Sequence, residues 1–147
     1  MNLHDLESSD QRKAAIHECA HALVARHYGV RATPSIWHTE TNDPITEKAW
    51  GGRVQFHGHF QTFRRSRRVA IAGYLAELMD APHENADELE NRMMDTFVWG
   101  EDDGWSASDI AMAQGWTSAD FRAVHSILKR KWKTLLQEMD ELTRQVA

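Results

Sequence analysis

Apolar positions recur three and four apart through the run AAIHECAHALVARHYG, with Ile16, Ala20, Leu23 and Tyr28 supplying much of the apolar surface. This periodicity predicts one helix running to Tyr28, with Gly29 suited to the residue just past its end. At its start, Ser8 and Gln11 have the spacing of a capping box and Asp10 stands where a helix N-terminus favours negative charge, so residues 1–7 are expected to be a loose end. The pattern then changes. Pro34, Pro44 and the pair Gly51-Gly52 punctuate two short stretches, about 35–39 (SIWHT) and 53–57 (RVQFH), which predict two strands. Val54 and Phe56 alternate with polar neighbours, as in a half-exposed strand.

Helical spacing resumes from about Phe63 to Met79. Within it, VAIAGYLAELM carries a single charge, Glu77, so this helix is apolar nearly all round and is expected to be buried. Residues 84–98 predict a shorter amphipathic helix striped by Leu89, Met93 and Phe97. After an acidic loop, Ser106 or Ser108 is placed to cap a short helix ending near Gly115. Thr117 or Ser118 then opens a long last helix, with apolar residues at 3–4 spacing from Phe121 to Val146. These elements add up to a mainly α fold with a small β-sheet, of the α+β class.

Composition narrows the setting. A chain of 147 residues with 41% hydrophobic and 27% charged residues predicts one soluble domain spanning 1–147. A net charge of −5 gives no overall attraction to nucleic acid or anionic membrane. Cys19 is the only cysteine, so no internal disulfide can form, and a reducing compartment is expected. The polar amino terminus lacks a signal-peptide core, and no apolar run approaches the ~20 residues of a membrane span. The expected location is cytoplasmic.

The chemistry lies in His17-Glu18-Cys19-Ala20-His21. Side chains four apart on a helix stand one above the other, so His17 and His21 can hold one metal ion through two imidazoles. Glu18, turned about 100° away, can reach a metal-activated water without ligating the ion. This is the HExxH arrangement of zinc peptidases. Two histidines leave one protein ligand to find. His27 lies about 9 Å beyond His21 and about 240° round the axis of an unbroken helix, out of reach. Asp109 and Glu77 remain. Asp109 has the alternative role of pairing with Ser106 in a capping box, and Glu77, alone on an apolar helix, needs a partner, a proton or a metal. His57 and His59, framing Gly58, and the loop acids Asp102 and Asp103 are expected at the surface. Arg64, Arg65, Arg67 and Arg68 read as a solvated helix start or a protein contact. No GxxxxGK[ST] occurs, so the chain has no nucleotide-hydrolysing loop of that kind.

The order of these pieces resembles the peptidase domain of the FtsH family of ATP-dependent zinc proteases. That family carries HEAGHALV where His17 to Val24 read HECAHALV, and a buried helix of the type RIAVLLGGRAAEEL where Arg68 to Leu78 read RVAIAGYLAEL. Its third zinc ligand is the Asp of an N-D-[LI] helix start, to which Ser108-Asp109-Ile110 is similar. Its long closing helix finds an echo in FRAVHSILKRKWKTLL. The likeness spans roughly residues 10–146. Ala20 departs from the family's Gly, the double Gly is reduced to Gly73-Tyr74, the acidic region from Glu84 to Asp103 is altered, and the ATPase module and membrane helices are missing.

The resemblance implies a zincin-like, FtsH-peptidase-like helical domain standing free of its motor. It implies a zinc endopeptidase with His17, His21 and Asp109 as ligands and Glu18 as base, with Glu77 either behind a ligating histidine or in Asp109's place. The implied substrate is an unfolded or partner-delivered polypeptide, with room for a separate ATPase or adaptor and for an oligomer. Two alternatives are a regulatory peptidase of the ImmA/IrrE kind, with Glu77 as ligand, and a non-catalytic zinc-containing protein-binding module.

Overall fold

The first helix, α1 (Leu3–His27), is the element on which the others pack, and it starts earlier than the Ser8-Gln11 spacing suggests. Asn2 is its cap, accepting the Asp5 N–H at 2.9 Å, so residues 3–7 are helical rather than loose. Asp10 then lies within the helix. Its carboxylate accepts the Ala49 N–H at 3.0 Å and ties the approach to the second strand onto α1. The far end closes as expected. Gly29 takes φ 82°, Gly29 N–H reaches the Arg26 carbonyl and Val30 N–H the Ala25 carbonyl, both at 3.0 Å. This computed structural model describes residues 2–40, 47–99 and 105–146. Pro44 and the loop acids Asp102 and Asp103 lie outside the described residues.

Two strands follow, β1 (Arg31–His38) and β2 (Trp50–His57), paired antiparallel from Arg31 opposite His57 to His38 opposite Trp50. Both are longer than the alternating stretches alone predict. Pro34 sits inside β1, tolerated because a two-stranded sheet has only edge strands. Gly51 and Gly52 belong to β2 instead of ending a loop, because their missing side chains make room for neighbours. A Cβ on Gly51 would stand 3.0 Å from the Trp37 ring, and one on Gly52 would stand 2.7 Å from Glu18 Cγ.

Helix α2 (Phe63–Asp80), capped by Thr62, lies against α1 and is buried from Val69 to Leu78 save for a partly exposed Glu77. Helices α3 (Ala86–Val98), α4 (Ala107–Ala113) and α5 (Ser118–Arg130) pack on α2, while α6 (Trp132–Gln145) returns to α1. The single closing helix expected from the stripe is thus two. The stripe holds as far as Leu142, with Phe121, Val124, Leu128, Leu135, Met139 and Leu142 buried and Trp132 partly so, whereas Val146 is exposed. At Lys131 (φ −106°, ψ 19°) the axis changes, so that α5 covers α2 and α6 covers α1. The architecture is mainly helical with one small antiparallel sheet. Among the described residues no helix is long and apolar enough to cross a membrane.

Candidate metal centre

His17 and His21 leave α1 one turn apart and point at the gap between α1, α2 and α4. Each ring is fixed by a partner that can only accept a hydrogen bond. His17 Nδ1 is 2.7 Å from Glu77 Oε2, and His21 Nδ1 is 2.7 Å from the Val69 carbonyl, both partners being on α2. With a carboxylate and a carbonyl as acceptors, Nδ1 carries the hydrogen in both rings. The two Nε2 lone pairs are left to face each other at 3.0 Å.

Asp109 meets them from α4, with Oδ2 3.0 Å from His17 Nε2 and Oδ1 3.3 Å from His21 Nε2. Its own N–H donates to Ser106 Oγ at 3.1 Å. The cap therefore uses the backbone of Asp109, and the carboxylate is free for the histidines. Ligand-capable atoms of His17, His21 and Asp109 all lie within 4.8 Å of one another. Ligands at ~2.0–2.1 Å around a tetrahedral zinc stand about 3.3 Å apart, so the three donors present fit such an ion. Glu77 lies on the opposite nitrogen of His17 and is not one of the three.

Electrostatics point the same way. Burial opposes charge on His17, yet hydrogen bonds to Asp109 and Glu77 raise it to about 10. Burial likewise opposes charge on His21, and Asp109 raises it. Asp109 in turn falls well below the usual carboxylate range, because the two histidines outweigh its burial. With protein groups alone, this gap attracts protons strongly. A dication held by His17, His21 and Asp109 would satisfy the same converging acceptors in place of the protons.

Glu18 is turned to the side. It is 6% exposed, its Oε1 is 3.8 Å from His17 Nε2, and its Oε2 has no hydrogen-bond partner among the described residues. Burial pushes its carboxyl above the usual value, against the pull of the two histidines. A buried carboxylate oxygen without a partner is unfavourable unless it serves something else in the site. Above these groups opens a cleft of about 660 Å³, with Leu6, Trp50, Val54, Phe56, Trp105 and Met112 among its apolar walls.

The other sequence candidates lie elsewhere. His27 is exposed at the end of α1, its pKa lowered by slight burial and by Lys131 and Arg130. His57 contacts Thr33 Oγ1 at 2.9 Å on the exposed face of the sheet, and His59 is exposed. Arg67 and Arg68 pair with the buried Asp120, Arg68 also reaches Tyr28 Oη, and Arg65 stacks over the Tyr28 ring. At least three of the four arginines thus make contacts within the fold. Sequence reasoning missed the Val69 carbonyl. The carbonyl leaves no mark in a sequence. No protein-family model matches the chain, and no curated protein matches it.

Proposed function

We propose that the chain is a zinc-dependent endopeptidase, a zincin-like domain with a centre of the FtsH-peptidase kind. The observation that carries this reading is the convergence of two imidazole lone pairs and one carboxylate beside a buried Glu18 oxygen that has no hydrogen-bond partner among the described residues, at the floor of a cleft. His17, His21 and Asp109 are the metal ligands. Three protein ligands are the complement of catalytic zinc sites, whereas structural sites close with four. Zinc held there supplies a Lewis acid that polarises the scissile carbonyl and acidifies a water molecule.

Glu18 takes a proton from the attacking water as its oxygen bonds to the carbonyl carbon. It then delivers that proton to the amine nitrogen as the C–N bond breaks. Its raised pKa suits a group that must both accept and release. Glu77 and the Val69 carbonyl hold the ligand rings in the tautomer that points Nε2 inward. Strand β2 lines the cleft and among the described residues pairs with β1 alone, so an extended polypeptide can add to its other edge as a strand. The substrate class is unfolded or partner-delivered protein, with a separate ATPase or adaptor as the supplier of folded clients.

Elemental analysis of purified protein together with a casein digest tests the proposal. The expected result is about one zinc per chain and cleavage that chelator abolishes and zinc restores. Stoichiometric zinc with no cleavage of unfolded substrate would favour a zinc-containing binding module.

A further inference from the structure

We propose that Gly73 is a positioning residue of this centre: with Val69 and Glu77 it forms a seat on α2 that holds both histidine rings in ligating geometry. The proposal rests on the metal reading above. Residues 69, 73 and 77 are four apart and share one face of α2, as His17 and His21 share one face of α1. The two sets meet in opposite order. His21 Nδ1 bonds the Val69 carbonyl, His17 Nδ1 bonds Glu77, and Gly73 lies between them.

A Cβ at Gly73 would stand 2.5 Å from His17 Nε2, 2.6 Å from His17 Cδ2 and 2.6 Å from His21 Nε2. Near-equal distances to Nε2 and Cδ2 place that Cβ broadside to the ring edge, off the lone-pair axis. Glycine therefore lets the His17 ring lie against the helix backbone, and a methyl group would push both rings away. The displacement needed to reach ordinary contact exceeds the ~0.5 Å within which a functional constellation must be held.

Backbone conformation does not explain this glycine. It lies mid-helix and is not among the glycines with positive φ. A mid-helix glycine is less favourable than alanine, so its presence here fits a requirement for space. The Val69 carbonyl adds a second reason. In a regular helix it already accepts the N–H of residue 73, and a side chain at 73 would stand beside it where His21 now donates.

Gly73→Ala is compared in two backgrounds, the wild-type chain and the chain carrying His17→Ala with His21→Ala, which removes the rings. Zinc affinity is read by competition with a chelating indicator, and metal-free stability by thermal unfolding. In the wild-type background Gly73→Ala should weaken zinc binding at least 100-fold and lower the melting temperature of the metal-free protein. In the ring-free background it should hold or raise the melting temperature. Zinc affinity within threefold of wild type, or an equal loss of melting temperature in both backgrounds, overturns the proposal. Failure of the wild-type chain itself to take up zinc counts against the metal reading, and the melting comparison still decides whether Gly73 seats the rings.

Discussion

Asp109 divides its work between backbone and side chain. The N–H completes the Ser106 cap of α4, and the carboxylate faces His17 and His21. Asp109→Ala keeps the first and removes the second. Its helix content should stay close to wild type because the cap survives, while zinc affinity falls by ~100-fold or more, as read by chelator competition. Glu77→Ala has the opposite profile. It strips the acceptor from His17 Nδ1, so the melting temperature should drop and zinc affinity fall only ~10–100-fold. At this scale the histidine pair and Glu18 were legible, because their relation is set within one helix. Asp109 was ambiguous because capping and ligation leave the same residue in the sequence. Gly73 acts by an absence, and Val69 by its main chain, so neither has a side-chain signature.

Among the elements, Asp120 joins α5 to α2. It caps α5 by accepting the Thr117 N–H at 3.0 Å and receives Arg68 Nε at 2.9 Å and Arg67 Nε at 3.3 Å. Burial opposes its charge, but Arg68, the Thr117 N–H and Arg67 together hold its carboxyl below the usual value. Loss of these charge-assisted bonds in Asp120→Asn should destabilise the fold by roughly 2–3 kcal/mol at neutral pH. A carboxyl lowered on folding stabilises above its unfolded pKa of about 3.9 and loses that contribution as pH falls through the folded value. The difference between wild type and variant in thermal unfolding should therefore be full above about pH 5 and close below about pH 4. The arginine run shows why such an element reads poorly from sequence: its counter-ion is more than fifty residues away. The break at Lys131 was hidden for another reason. The apolar stripe continues through it without glycine or proline, and only the separate docking of α5 on α2 and α6 on α1 requires the turn. Strand ends and the start of α1 shifted because glycines, Pro34 and Asn2 are used for packing and capping, which local punctuation does not distinguish.

Across the whole molecule, α1 is enclosed by the sheet, α2 and α6, and its buried side chains include Ile16, Cys19, Leu23 and Val24. Cys19 is fully buried next to Glu18, and burial above all pushes its thiol up to about 12. A neutral thiol out of contact with solvent is unreactive, so alkylation of the native protein at pH 8 should be negligible and should follow global unfolding when denaturant is added. Rapid labelling of folded protein would mean that α1 opens to solvent without global unfolding. The same enclosure holds the histidines, Asp109 and Glu18 against one another, and it is why the site can be assigned roles residue by residue. Glu18→Gln tests those roles most directly, with zinc content and casein cleavage measured on the same sample. Glutamine keeps the size of the side chain and removes its basicity, so bound zinc should stay at about one per chain while cleavage falls by ~100-fold or more. Cleavage equal to wild type would contradict the account, because Glu18 would then have no part in moving the proton.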